Sequence, residues 1–187
     1  EGKPFYGGTY FPPEDRTGMI GFRRVLESLA DIYADKREDI AQTTASLMQR
    51  MEQMTPVSAG SEPLTADIMS SAFAAIEGNF DDKHGGMGLQ PKFPQPMVQE
   101  FLLRHYLRTG DRRALEMVEL TLDKMALGGI YDQIGGGFHR YSTDTFWLVP
   151  HFEKMLYDNA LLARLYLHAY QATGKALYRR VVEETLD

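Results

Sequence analysis

The sequence predicts a mainly α-helical protein, most of it a two-layered ring or solenoid of helical hairpins. Three observations predict this. Apolar residues recur at helical spacing through nearly all of the chain after residue 64, interrupted by two long loops. The stretch after Pro150 is apolar almost all round, whereas its neighbour Arg112–Leu127 is amphipathic, which is the contrast between an inner and an outer helix. The chain also repeats itself: Tyr106, Thr109 and Gly110 match Tyr170, Thr173 and Gly174 at an offset of 64, and Val118 and Glu119 match Val182 and Glu183 at the same offset. Hairpins that repeat with insertions on one face carry those insertions on a common rim.

Phe5–Pro13 is the one strand candidate, aromatic-rich and ended by two prolines, and a lone strand needs a partner. A helix is expected from Gly21, with Phe22, Val25, Leu26 and Leu29 at helical spacing. A second runs from Lys36 to about Met54, its methionines suited to adaptable packing. Pro56–Pro63 has linker composition and divides residues 1–55 from 64–187. Thr65 is the expected N-cap of the next helix, which reaches about Glu77. Loop Asn79–Gln95 follows, then a helix opened by Pro96 and ended by Thr109-Gly110. Asp111 caps the amphipathic helix, whose core face is Leu115, Val118, Leu122 and Met125. Gly128-Gly129 opens the second loop, Pro150 is expected to start the following helix, and Thr173-Gly174 ends it. The loops match as well, Asp82, Gly85 and Gly86 against Asp132, Gly135 and Gly136 at an offset of 50.

Composition narrows the function classes. The 187 residues carry a formal charge of −6 and a pI near 5.4, with no dense basic face, which argues against nucleic-acid binding. The absence of cysteine excludes disulfide, thiolate-zinc and dithiol chemistry within this sequence. No apolar run approaches the roughly 18 residues of a membrane span, so no membrane partner is expected, and the ordinary acidic composition points to the cytoplasm. The first residues fall inside a turn and the last inside a helical pattern, so a piece of a longer chain is expected.

Three segments (GGTYFPP at residues 7–13, FDDKHGGMGLQPKFP at 80–94 and GGIYDQIGGGFHRYSTDTFWLVPHFEKMLYDNALL at 128–162) carry a resemblance. They look like the YyaL and spermatogenesis-associated protein 20 family, whose members join a thioredoxin-like domain to an (α/α)6 toroid of the six-hairpin glycosidase type. The resemblance covers essentially the whole sequence. It implies that residues 1–55 are the closing strand and helix of the thioredoxin-like domain, and that 64–187 are the N-terminal part of the toroid. The family's Cys-x-x-Cys lies outside this sequence, so redox chemistry cannot rest on these residues. The missing remainder of both domains is the implied partner, and little turnover is expected from residues 1–187 alone.

The chemistry concentrates in Gly128–Asn159. His139 and His151 are candidate acid/base groups because imidazole titrates near neutrality; each could equally make a loop hydrogen bond. Asp132 and Glu153 are candidate catalytic carboxylates, since paired carboxylates suit glycoside hydrolysis. Their structural alternatives are a turn role, as for Asp144, and a favourable place at a helix N-terminus. Glu153 and Tyr157 fall on one polar stripe of the expected helix, where Asp158 and Lys154, four apart, could pair. Trp147 and Tyr141, with Phe138, could stack on a sugar ring or simply anchor the loop. Lys92 and Arg140 could hold an anionic group, and His84 could join the histidines across the rim. Neither a metal nor a cofactor is expected, because the histidine spacing does not suit a metal and the glycine runs do not follow a strand.

Two readings follow. One is a carbohydrate-processing toroid, a glycosidase or a sugar epimerase in which a histidine removes and returns a proton beside a carbonyl. The segment Pro150–Leu162 is similar to inner-helix motifs of the N-acylglucosamine 2-epimerase relatives. The other is a non-catalytic scaffold that presents clients or ligands to the attached thiol-redox domain.

Overall fold

The computed structural model describes residues 2–54 and 65–187; the linker expected at 56–63 lies outside them. The chain divides into two compact units, Glu1–Glu62 and Pro63–Asp187.

In the first unit, helices α1 (Phe22–Asp35) and α2 (Arg37–Met54) follow an extended N-terminal segment. Gly21 is the N-cap of α1, and its N–H donates to Asp15 Oδ1 at 2.7 Å, while Asp15 Oδ2 takes Arg24 Nη1 at 2.7 Å. Phe5–Pro13, expected as a strand, joins no ladder among the described residues. With no neighbouring strand to satisfy its backbone, the segment is organised by its aromatic rings instead. Phe5 packs on Tyr33 and Phe11 on Phe22, with ring centroids 5.7 and 5.9 Å apart.

The named elements of the second unit are all helices: α3 (Asp67–Glu77), α4 (Pro96–Thr109), α5 (Arg112–Leu127), α6 (Leu156–Thr173) and α7 (Ala176–Leu186), with long loops before α4 and α6. Helices α4 and α5 form one antiparallel hairpin and α6 and α7 the next, with α6 laid beside α4. Leu102, Val118, Leu122, Leu162, Tyr166 and Val181 are fully buried where these helices meet. Each such aliphatic or aromatic side chain contributes on the order of 1.5–3 kcal/mol by leaving water. The Tyr166 hydroxyl donates to the Leu122 carbonyl at 2.8 Å, which resolves the cost of burying a phenol.

The repeat read from the sequence is a repeat of structure. Gly110 and Gly174 both take the left-handed conformation, at φ 76° and 73°, and their N–H groups cap Tyr106 and Tyr170. The Thr109 and Thr173 hydroxyls each donate one turn back, to His105 and Ala169, at 2.7 Å. The loop repeat needs one correction. Phe80 pairs with Met87 as Tyr131 pairs with Phe138, which sets the offset at 51 and matches Asp132 to Asp81 rather than Asp82. The three consecutive glycines Gly135, Gly136 and Gly137 hid this register.

Two helix expectations also change. Helix α6 begins at Leu156, not at Pro150, because residues 150–153 run extended alongside 140–142. Nor is α6 buried all round: Leu156 and Leu167 are exposed, while α5, read as the outer helix, buries both Met117 and Met125 completely. Helix α5 packs on α4 and is tied to the second hairpin by Tyr166, Lys175 and Tyr178, whose side chains donate to Leu122, Asp123 and Glu119.

Candidate functional site

The two glycine-rich loops meet on one rim of the second unit. Each is closed by the same device. Asp81 and Asp132 accept the backbone N–H groups two and three residues on, at 2.9 to 3.1 Å. A lysine then seals each turn, Lys92 on Asp81 at 2.6 Å and Lys154 on Asp132 at 2.7 Å. The following pairs, Gly85-Gly86 and Gly136-Gly137, all have φ between 70° and 76°. A side chain at Gly85 would lie 2.7 Å from the Thr121 backbone, and one at Gly136 would run into the Glu184 carbonyl.

These contacts reassign four residues expected to act on a ligand. Asp132 is a turn-former: the backbone N–H of Gly135, then Lys154 and the N–H of Ile134, hold its carboxyl far below the ordinary carboxylate range. Such a group is a poor proton donor at neutral pH. Lys92 is completely buried, bonded to Asp81 and to the Thr145 carbonyl at 3.1 Å, so it is not free for an anionic ligand. Trp147 is also completely buried, with its indole N–H donating to the His84 carbonyl at 2.9 Å, so it locks the loops together rather than offering a sugar platform. His84 lies edge-on to Phe146, centroids 4.7 Å apart. Lys154 pairs with Asp132 and not with Asp158, since it precedes the helix. Asp144 takes the turn role, accepting from the N–H groups of Phe146, Leu148 and Val149.

The remaining candidates converge. Residues 140–142 and 150–153 lie antiparallel, with the Arg140 N–H donating to the Glu153 carbonyl at 2.7 Å and the His151 N–H to the Tyr141 carbonyl at 2.9 Å. This register brings Arg140 Nη1 within 3.1 Å of Glu153 Oε2 and His151 Nδ1 within 3.5 Å of the same oxygen. The His151 ring stacks on Tyr141, whose ring also packs against Phe93, both at 4.9 Å. Asp158, in the first turn of α6, lies within the field of Arg140; burial pushes its carboxyl up against that pull. Tyr157 stands exposed beside it. His139 sits apart, edge-on to Phe152 at 5.2 Å, with Nδ1 buried and without a hydrogen-bond partner. Burial, and then the charge of Lys154, pull its imidazole below the usual histidine range.

The rim therefore offers a half-exposed cation–carboxylate–imidazole cluster with an aromatic face, formed by Arg140, Tyr141, His151, Glu153 and Asp158. Among the described residues no group of three or more His, Asp or Glu is placed to hold a metal ion. No helix there is long and apolar enough to cross a membrane.

Three residues with defined polar contacts, Asn159, Glu100 and His168, were not anticipated. Asn159 clamps Phe138, accepting its N–H at 2.6 Å and donating to its carbonyl at 3.0 Å. Glu100 on α4 binds the ring of His168 on α6, Nδ1 lying 3.0 and 3.1 Å from the two carboxylate oxygens. The offset of 64 puts His168 opposite Arg104, one turn from Glu100, which is the signal that could have found the pair.

Helical hairpins with both long loops on one rim, preceded by a separate short unit, define a toroid-type helical protein. The fold is shared with a sugar epimerase from a ruminal bacterium, at TM-score 0.51 and 18% identity over 63% of this chain and 36% of that one. Residues 1–52 match the Thioredox_DsbH model, described as "Protein of unknown function, DUF255". Spermatogenesis-associated protein 20 of Homo sapiens is 39% identical over 98% of this chain, and that of Mus musculus is 40% identical over the same share. An uncharacterized protein of Caenorhabditis elegans is 35% identical over 92% of it. The chain is similar to the spermatogenesis-associated protein 20 family over nearly its whole length and spans 24% of the length of these relatives.

Proposed function

We propose that the helical unit is the ligand-binding part of a carbohydrate-processing module, and that its rim takes a small polyhydroxylated ligand. One observation carries this reading: Arg140, Glu153 and His151 form a linked donor–acceptor set beside the Tyr141 face. A pyranose ring presents the complement, an apolar C–H face and a fringe of hydroxyls that both donate and accept. The epimerase named among the structural neighbours supports the choice of ligand class. Residues 1–55 would be the closing part of a thioredoxin-like domain, and the remainder of both domains the partner that completes the pocket. The acidic composition supports a cytoplasmic location.

Titration of the full-length protein with a panel of mono- and disaccharides, followed by saturation-transfer NMR, tests this. Binding at millimolar sugar or below is expected, weakened at least tenfold in His151→Ala. A panel that gives no binding, or a variant indistinguishable from wild type, sinks the carbohydrate reading. A second reading, a client-binding scaffold for the thiol-redox domain, is favoured by the exposed apolar side chains Phe146, Leu148, Phe152 and Leu156 around the rim. Client capture that requires the redox domain, with no sugar effect, would select it.

A further inference from the structure

The cations built into the rim, Lys92, Lys154 and Arg140, are each matched to a carboxylate. Lys92 is held by Asp81 at 2.6 Å, Lys154 by Asp132 at 2.7 Å and Arg140 by Glu153 at 3.1 Å. Asp144 pairs with no cation but spends its carboxylate on the N–H groups of Phe146, Leu148 and Val149 and on the Ser142 hydroxyl. Asp158 is the exception. Among the described residues its carboxyl takes no hydrogen bond and no ion pair, and the charge of Arg140 is the one favourable influence on it.

A capping role does not account for this carboxylate. Asp158 stands in the first turn of α6, where it gains only the general attraction of a helix N-terminus. Asp111 shows what a capping carboxylate does, accepting the Arg113 N–H at 3.0 Å at the start of α5; Asp158 accepts no such bond. It is half-buried, and burial pushes its carboxyl up by more than Arg140 pulls it down, the behaviour of a charge without a partner. Arg140 also lies within the fields of the Tyr141 and Tyr157 hydroxyls, and Tyr157 is 56% exposed. The unpaired carboxylate therefore stands at the cluster already described, beside an accessible aromatic ring.

We infer that the rim selects a sugar carrying a free amine, with the ammonium group on Asp158 as its specificity-determining contact. This rests on the carbohydrate reading above and narrows its ligand class. An ammonium brings three donors and a positive charge, and Asp158 supplies the acceptor and the charge that the paired groups of the rim do not. The exposed Tyr157 ring adds a π-face that attracts a cation. Arg140 does not bar the amine, because Glu153 offsets its charge. An anionic sugar meets the reverse: cations already spent on carboxylates, and an unpaired charge of its own sign. A neutral sugar keeps the contacts to Arg140, Glu153 and His151 but gains nothing from Asp158.

The experiment titrates the full-length protein at neutral pH with glucosamine, glucose, N-acetylglucosamine and glucuronate, following binding by NMR. Glucosamine is expected to bind about tenfold or more tighter than glucose, the worth of one charge-assisted hydrogen bond. N-acetylglucosamine, which has lost the charge, should bind no tighter than glucose, and glucuronate should bind weakest. Asp158→Asn should leave glucosamine no tighter than glucose, Asp158→Glu should keep part of the preference, and added salt should shrink the preference of the wild type. Sugar binding without a preference for glucosamine in wild type, or a preference that survives Asp158→Asn, overturns this inference and leaves the rim reading standing. The ranking of the four sugars on wild type decides the matter even where the variant fails to fold. Absence of binding by every sugar removes both readings.

Discussion

Lys92 shows how a residue's role is decided by partners distant in sequence. Read alone, a lysine between loops is a solvated cation; here it is fully buried, its ammonium 2.6 Å from Asp81 and 5.3 Å from the centre of the Trp147 ring. Breaking a buried pair leaves an uncompensated charge. Lys92→Met is therefore expected to cost about 3–5 kcal/mol in chemical unfolding, with much of the loss recovered in the double variant with Asp81→Asn. Asp132 gives the companion prediction. Its folded-state carboxyl is depressed, so the stability it supplies is fully present above its unfolded value near 3.8 and is lost only as pH falls below that. Asp132→Asn should destabilise the protein by about 1–3 kcal/mol at neutral pH, the range for charge-assisted hydrogen bonds. The difference from wild type should shrink in urea melts below pH 4. Neither role was legible in the sequence, because an acidic or basic side chain in a glycine-rich loop looks the same whether it seals a turn or awaits a ligand. The cluster of Arg140, Tyr141, His151 and Glu153 was legible in part, since its members are close in sequence and only their register was unknown.

At the scale of elements, the Thr-Gly turns and the helix periodicity were readable because their causes are local. A left-handed residue favours glycine, and the threonine one place earlier bonds back within its own helix. Gly110→Ala and Gly174→Ala should each lower stability by about 1–2 kcal/mol, the cost of a Cβ at positive φ, and a cycle of the two should show near-additivity. The start of α6 was misread for a different reason. Pro96 opens α4, and the repeat suggested that Pro150 does the same for α6, but residues 150–153 are held extended by hydrogen bonds to 140–142. Tertiary pairing overrode a local signal, and it did so where the cluster is built. The same displacement takes Glu153 off the helix, where its expected polar stripe with Tyr157 does not exist, and delivers it to Arg140.

For the whole molecule, the helical hairpins and the meeting of both loops on one rim follow from the internal repeat, while the pairing of Glu100 with His168 does not. That contact depends on how far α4 and α6 are staggered, which a periodicity argument leaves open. The resulting picture is a helical unit that presents a cluster of Arg140, Tyr141, His151 and Glu153 on the rim where its two loops meet. Its central claim is that the rim is a carbohydrate surface. A crystal structure of the full-length protein soaked in millimolar disaccharide tests this most directly. The account predicts a sugar ring against Tyr141 and His151, its hydroxyls within hydrogen-bond distance of Arg140 and Glu153. A rim left empty at saturating sugar, or sugar bound only elsewhere, would contradict it.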